Sequence, residues 1–397
     1  MVVEPKVKGF LCITSHPKGC AKNVDEQIEY VKSKGAIKDG CKCALVIGSS
    51  TGYGLASRIT AAFGCGADTI GVFFERPADA ARGRPASAGW YNTAQFAKRA
   101  REAGLYAANI NGDAFSDEVK ARTVEAIRKS PSGKVDLIVY SLAAPRRTDP
   151  KTGETYKSVL KAVGEPARNK SLDTDKGEIC EAEVPVADQK EIADTVKVMG
   201  GEDWEMWVNL LEREGLIAEG CTSLSYTYIG PRLTYPIYRD GTIGQAKKDL
   251  EKAADRIDTV LKLSRGKAFV SANKALVTQA SSAIPVVPLY VSILYKVMKQ
   301  KGIHEGCIEQ IRRLFATQLY NGQCLNYDDR GLVRIDDLEM REDVQKAVFD
   351  IWPRVETSNL RKLTDFDGYK AEFMKLFGFG VDGVDYSEDV DIDVPLD

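Results

Sequence analysis

The chain has 397 residues, 44% hydrophobic and 28% charged, which is ordinary globular composition and long enough to bury roughly three quarters of its unfolded surface without covalent staples. Its 55 Lys and Arg stand against 57 Asp and Glu, a net charge of -2 that offers no field to nucleic acid or an anionic membrane. Nine cysteines, an odd number with no C-x-x-C, read as reduced thiols of a cytoplasmic protein rather than a disulfide framework.

In chain order, "MVVEPKVKGFLCI" carries charge from Glu4 and is not expected to be a secretory leader. His16, before Pro17, reads as a turn residue. The apolar run "ALVIG" (44–48) predicts a strand and "YGLASRITAAFG" a helix. "TIGVFFE" (69–75) is again strand-like, and the alternation continues through "WYNTAQFAKRAREAG", "LYAANI", a helix near 116–129 and "VDLIVYSLA" (135–143). Strands that are apolar throughout and separated by helices indicate a parallel sheet covered on both faces, an α/β doubly wound fold beginning near residue 44. From 144 to about 190 the sequence is turn-rich and charged. The pattern resumes with a helix through "DWEMWVNLLEREG", a strand "TSLSYTYIG" (222–230), a helix from about 243 to 263 and a strand "KAFVSAN" (267–273). The remainder reads as helical, ending in an acidic tail laid over the surface. His304 sits where a helix begins. With only two histidines, neither a zinc site nor a histidine-based triad is expected. The stretch 275–298 is interrupted by Gln279, serines, Pro285 and Pro288 and does not suit a membrane span. The absence of repeats and low-complexity linkers favours one elaborated domain: a nucleotide-binding core at 44–143 and 220–300, an insertion at 144–219 and a helical extension at 301–397.

The strongest motif is "GSSTGYG", Gly48 to Gly54, between the first strand and its helix. Glycine allows backbone to approach a pyrophosphate, and the helix N-terminus that follows presents free N–H groups; a plain tight turn is the alternative. The spacing G-x-x-x-G-x-G is that of short-chain-dehydrogenase-like folds. Glu75, at the end of the second strand, is placed to accept hydrogen bonds from an adenosine ribose and to repel a 2′-phosphate, favouring NADH over NADPH; the neighbouring Arg76 argues the other way. "GDAF" (112–115) and "SLAA" (141–144) follow the third and fourth strands at the edge where such a cofactor lies.

Tyr238 and Lys247 stand nine positions apart in "YRDGTIGQAK". On a single helix, about 100° per residue would set them on opposite faces. Gly241 and Gly244 are expected to break the segment, and "TIGQ" (242–245) has the form of a capping box that starts a helix just before Lys247. A loop-borne phenol and a first-turn ammonium then converge, and the ammonium eases proton donation by the phenol. Spacing alone equally allows a packed tyrosine and a solvated lysine. Tyr30/Lys34 and Tyr295/Lys299 match Y-x-x-x-K but fall outside the nucleotide-binding order and read as coincidences on helix faces.

Together, "GSSTGYGLASRITAAFG", "FFE", "GDAF", "VYSLAAP", "KVMGGEDWE", "YTYIGP", the Tyr238/Lys247 pair and "KALVTQASSAIPV.PLY" resemble the single-chain trans-2-enoyl-CoA reductases, the V-type enoyl-acyl-carrier-protein reductases, over practically the whole chain. The resemblance implies a monomeric, enlarged Rossmann-type enzyme with N-terminal, mid-chain and C-terminal extensions. Such an enzyme uses NADH to reduce a trans-2-enoyl thioester of CoA or acyl carrier protein. It implies that Gly48, Ser49, Ser50, Thr51, Gly52 and Tyr53 cradle the pyrophosphate and that Phe74 and Glu75 meet the adenosine. Asp113 and Ala114 would flank the adenine, Leu142 and Ala143 the nicotinamide-side ribose, and Leu276, Val277 and Thr278 would close over the carboxamide. Tyr238 would be the proton donor, Lys247 the cofactor-holding lysine, and Tyr228 a contact of the thioester carbonyl. Two rival readings are a carbonyl reductase of 3-oxoacyl thioesters, which wants a Y-x-x-x-K after the fifth strand, and a non-catalytic NAD(H)-binding module. Arg146 and Arg147 are further candidates for CoA phosphates, against the plainer reading of solvated turn arginines.

Overall fold

The computed structural model describes residues 1–9 and 11–396. Its centre is a seven-stranded parallel sheet of β1 (Cys43–Ile47), β2 (Asp68–Phe73), β3 (Ala107–Asn111), β4 (Val135–Tyr140), β5 (Ile217–Thr227), β6 (Lys267–Ala272) and β7 (Leu332–Arg334). The spatial order is β7-β6-β5-β4-β1-β2-β3. The order reverses between β1 and β4, which pair from Ala44↔Leu137 to Ile47↔Tyr140. That reversal opens a crevice at the carboxyl ends of the strands, where ligands bind in doubly wound sheets.

Helices α1 (Pro17–Ser33), α2 (Gly52–Cys65), α3 (Ala88–Glu102), α4 (Asp117–Lys129), α5 (Gln189–Met199) and α6 (Glu202–Arg213) come before or between the strands. The short α7 (Tyr235–Tyr238) and the long α8 (Thr242–Leu261) precede β6; α9 (Gln279–Ser282), α10 (Val287–Gln300) and α11 (Cys307–Leu314) follow it, and α12 (Glu342–Ile351) comes after β7. Alternate strand residues feed opposite faces. Leu45 and Ile47 pack with Ile127, Trp204, Trp207, Leu250 and Ile257, from α4, α6 and α8. Ala44 and Val46 pack with Ile28, Ile59, Phe96 and Ile311, from α1, α2, α3 and α11. Burial on both faces is why these strands are apolar throughout rather than alternating.

Several expectations are corrected. The second strand ends at Phe73, so Phe74 and Glu75 lie just beyond it, and the third runs 107–111 rather than 105–110. The charged stretch after residue 144 carries two antiparallel hairpins, Arg146–Thr148 with Thr155–Lys157 and Ala167–Asp173 with Glu178–Val184. The stretch read as wholly helical contains β7, which extends the sheet edge by pairing Val270↔Leu332 to Ala272↔Arg334. His16 is the N-cap of α1, its Nδ1 accepting from Gly19 N at 3.1 Å. The tail 381–396 does run over the surface, but it buries Val390 and Ile392. It is tied at its end: Tyr91 Oη donates to Ile392 O and Trp90 Nε1 to Val394 O, each at 2.8 Å. Among the described residues no helix is long and apolar enough to cross a membrane.

Candidate functional site

The crevice at the strand ends is a cleft of about 1580 Å³. The glycine loop forms one wall. Gly48 has φ +86°, and a Cβ there would lie 2.0 Å from Ser141 O, so the loop sits flush against the chain leaving β4. A Cβ at Gly54 would lie 1.9 Å from Gly48 O, which closes the turn onto the first helical residues. Thr51 is the N-cap of α2 but makes no side-chain capping bond, leaving the first-turn N–H groups open toward the cleft. Ser50, Thr51, Gly52 and Tyr53 all face it. Ser49 does not: it is fully buried, its Oγ donating to Val72 O at 3.2 Å. This cradle of close backbone and unpaired donors suits a dinucleotide pyrophosphate.

At the far end Phe74 is 76% exposed, an uncommitted ring at the rim. Glu75 is held there by Ser50 Oγ, which donates to its Oε1 at 2.7 Å, and by backbone bonds to Asn111. Arg76 also lines the cleft, its Nη1 donating to Pro85 O. Asp113 closes its own turn by accepting from Phe115 N. The following carbonyls of Ala114 and Phe115 accept from Lys120 Nζ, whose third partner is Asp203 Oδ1 at 2.7 Å. Leu142 and Ala143 lie where β4 leaves the sheet, the strand end fixed by Ser225 Oγ donating to Tyr140 O. Arg146 lines the rim, but Arg147 is buried, pairing with Glu202 at 2.8 Å and Lys197 O. Arg147 therefore cannot meet a ligand phosphate.

Opposite the glycine loop stand Tyr238 and Lys247. Tyr238 closes α7, and Asp240 N and Arg239 N both donate to Tyr235 O in the turn that follows. Gly241 is the N-cap of α8 and Thr242 its first residue, so the expected capping box is absent. Thr242 Oγ1 instead donates to Val159 O and accepts from Lys161 N, bonding the helix start to the mid-chain segment. Gly244 lies inside α8 rather than breaking it; a Cβ there would meet Arg239 O at 2.1 Å, so glycine lets the two helices abut. Both side chains reach the cleft. Lys247 Nζ donates to Tyr226 O at 3.0 Å, and burial pulls its pKa down to about 8 against the opposing pull of Glu251. Burial pushes the Tyr238 phenol up, so it is protonated at neutral pH. Among the described residues no hydrogen bond engages its hydroxyl.

Tyr228, just past β5, packs its ring edge-on against Tyr238 with centroids 4.7 Å apart. Its Oη is hydrogen-bonded to Glu339 Oε1 at 3.0 Å. Leu276, Val277 and Thr278 form a further wall, fixed by Ala275 N donating to Glu339 Oε2, Val277 N donating to Tyr295 Oη, and Thr278 capping α9. Tyr295 of the second Y-x-x-x-K is thus a support for this segment, while Lys299 pairs with Asp365 outside. Two residues of this region were not singled out from sequence. Lys274 is buried beside Tyr53, whose Oη donates to Lys274 O; a lysine following a strand at the carboxyl edge was the available signal. Glu339 lies in the acidic run "IDDLEMRED", where nothing distinguishes it from solvated neighbours. His304, packed edge-on against Tyr295 and lowered to about 3 chiefly by burial, is a neutral packing residue.

Comparison with known proteins places the chain in a family. A family model for the trans-2-enoyl-CoA reductase catalytic region matches residues 84–320, and one for the NAD(P)H-binding domain of trans-2-enoyl-CoA reductase matches 2–80. An NADH-dependent enoyl-acyl-carrier-protein reductase of Opitutus terrae is 59% identical over 396 residues, covering 100% of both chains. One of Serratia proteamaculans is 55% identical over 397 residues, 100% of this chain and 99% of the relative. The crystal structure of Treponema denticola trans-2-enoyl-CoA reductase in complex with NAD superposes with a TM-score of 0.94 at 50% identity, covering 98% of each chain. A third model, an enoyl reductase FAD-binding domain, matches 327–390. The residues there do not fit a flavin. The β7-to-α12 connection, "IDDLEMR" (335–341), has no glycine for close approach to a pyrophosphate, and α12 opens with Glu342 and Asp343 where phosphates need donors. Val344, Val348, Phe366, Tyr369 and Phe373 of this stretch are instead core residues packed with α10. With a matching catalytic region, a relative identical at 59% of positions over its whole length and a cleft built for a dinucleotide, the chain belongs to the trans-2-enoyl-CoA reductase family.

Proposed function

We propose that the chain reduces the C2–C3 double bond of a trans-2-enoyl thioester to the saturated acyl thioester, using NADH. The observation that carries this reading is the protonated, uncommitted Tyr238 hydroxyl sharing one cleft with the Lys247 ammonium and the glycine loop. Gly48 and the open N–H groups of residues 50–53 hold the pyrophosphate, Phe74 and Glu75 the adenosine, Asp113 and Ala114 the adenine edge, Leu142 and Ala143 the second ribose. Leu276, Val277 and Thr278 cover the carboxamide. Bound NADH supplies the hydride that adds to the β-carbon of the substrate.

As charge develops on the thioester oxygen, Tyr228 and Tyr238 present their hydroxyls to it, and Tyr238 yields the proton that completes the reduction. Lys247 steadies the resulting phenolate and holds a ribose hydroxyl. A preorganised donor at such an oxygen contributes about 3–4 kcal/mol to transition-state stabilisation. The carrier is the finer question. Relatives bear both the CoA and the acyl-carrier-protein name, and the two carriers share the phosphopantetheine arm that a thioester cleft receives. The free thiols support a reducing compartment such as the cytoplasm.

NADH absorbance followed with crotonyl-CoA and with acetoacetyl-CoA tests the reading. Oxidation with the enoyl substrate alone is expected. Turnover of the ketone alone would make the protein a carbonyl reductase, and no oxidation with either would make it a binding module.

A further inference from the structure

Glu339 has no place in the chemistry above, yet it is the most completely enclosed carboxyl group behind the cleft, with 0% exposure. Three groups from three separate elements converge on it. Tyr228 Oη, after β5, lies 3.0 Å from Oε1; Tyr290 Oη, on α10, donates to the same oxygen at 2.7 Å; Ala275 N, after β6, donates to Oε2 at 2.7 Å. Among the described residues no lysine, arginine or histidine makes an ion pair with it. The buried Lys274 next along the chain spends its Nζ on Ala275 O at 3.0 Å. A carboxylate enclosed without an ion-pair partner is strongly disfavoured against its neutral form.

The un-ionised form also satisfies every contact. Oε2 is then the carbonyl oxygen that accepts from Ala275, and Oε1 carries the proton. Oε1 accepts from Tyr290 and donates to Tyr228. This leaves the single Tyr228 proton free to point into the cleft. An ionised Glu339 takes that proton for itself, and Tyr228 then faces the substrate with lone pairs. We propose that Glu339 is a positioning residue that works un-ionised, donating to the Tyr228 oxygen so that the Tyr228 hydroxyl proton is aimed at the thioester oxygen. A hydroxyl that itself accepts a hydrogen bond is a stronger donor, so the chain Glu339 to Tyr228 to substrate reinforces itself. The titratable groups facing Glu339 are Tyr228, Tyr238, Tyr290, Tyr53, Lys274 and, on its own segment, Asp336. Burial is the largest influence and favours the proton; Lys274 opposes it. This inference rests on Tyr228 serving the substrate oxygen.

The test compares Glu339→Gln, which keeps a donor for Tyr228 and an acceptor for Ala275 but takes from Tyr290 its acceptor, with Glu339→Leu, which keeps none of these. Each is made alone and combined with Tyr228→Phe, and Glu339→Gln also combined with Tyr290→Phe to remove the stranded hydroxyl. Measured with crotonyl-CoA, Glu339→Gln is expected to hold kcat within about threefold, and Glu339→Leu to lower it about 10- to 100-fold, an effect that largely vanishes in the Tyr228→Phe background. Overturning results are a loss in Glu339→Gln as large as in Glu339→Leu and not relieved by Tyr290→Phe, which would mean that the anion is needed; no loss in Glu339→Leu; or an equal loss in both backgrounds, which would mean packing alone. If Glu339→Leu does not fold, infrared difference spectra of wild type against Glu339→Gln decide. A protonated-carboxyl C=O band at neutral pH, absent from the variant, supports the proposal, and its absence from the wild type overturns it. Full kcat in Tyr228→Phe alone would remove Tyr228 from the oxygen site, a failure of the earlier reading that the infrared band does not share.

Discussion

The ring of Tyr228 stands edge-on to the ring of Tyr238, centroids 4.7 Å apart and planes at 79°, so two tyrosines from different backbone segments pack together in the lining of one cleft. Because this contact is made by rings and, among the described residues, no protein group holds the Tyr238 hydroxyl, Tyr238→Phe preserves the packing and removes one oxygen. Turnover of crotonyl-CoA is expected to fall about 10²- to 10³-fold with NADH affinity within a few-fold of wild type, read by steady-state kinetics and by titration of NADH fluorescence. Near-normal kcat would refute the donor role.

Lys247 sets a pH limit. Burial lowers its pKa to about 8, so the ammonium that the proposed mechanism uses to steady the phenolate is lost as pH rises through that value. The expected profile of kcat/KM declines above about pH 8, and in Lys247→Arg, whose guanidinium stays charged, that decline disappears. Stability moves the other way. The folded state binds this proton less tightly than the unfolded chain, so folding gains from about pH 8 up to about 10.4, the ordinary lysine value.

Gly48→Ala places a Cβ 2.0 Å from Ser141 O at a residue with φ +86°. Both the contact and the backbone geometry oppose it. An overall loss of about 1–3 kcal/mol in stability and a weakened NADH affinity are expected, measured by thermal unfolding with and without NADH. A variant as stable and as tight-binding as wild type would show that the loop does not sit flush against β4's exit.

Glu75 is pinned by Ser50 at the rim to which the proposed function assigns the adenosine, with Arg76 Nη1 bonded to Pro85 O. Removing the carboxylate in Glu75→Ala is expected to raise the ratio of kcat/KM for NADPH to that for NADH about tenfold or more, since a 2′-phosphate no longer meets a negative charge. An unchanged ratio would place the selectivity elsewhere.

Lys120 and Asp203 form an ion pair only 6% and 2% exposed, beneath the carbonyls of Ala114 and Phe115. Lys120→Met strands a buried carboxylate, and a destabilisation of about 3–5 kcal/mol is expected in chemical denaturation. A loss below about 1 kcal/mol would mean that solvent reaches the pair.

The parts of this molecule legible in the sequence are those where burial dictates composition. The runs at 44–48, 135–143 and 267–273 are apolar because both sheet faces are covered, and their order gave the doubly wound class. The glycine loop was legible because close backbone contact excludes any Cβ. Strand β7 was not: three residues, Leu332–Arg334, inside a charged run carry no periodicity. The hairpin strands "ARNKSLD" and "EICEAEV" form a ribbon that is mostly half-buried or buried along the first strand, and their mixed polar composition hid their pairing. Thr242 matched a capping pattern, but a long-range contact with Val159 claimed its hydroxyl. Ser49 belonged to the loop by motif, yet the alternation of backbone direction turns it into the core. Glu339 shows the limit best, since its environment comes from Tyr228, Tyr290 and Ala275, residues 111, 49 and 64 positions away.

The bonds from Trp90 and Tyr91 to the acidic tail span 304 and 301 positions and land on the first turn of α3, beside Glu75. On the ribosome, the helix that backs Glu75 emerges long before the segment that clasps it. The first half of the nucleotide-binding unit therefore waits, incompletely buttressed, until synthesis has reached the tail, and this wall of the cleft is the last to acquire its native support.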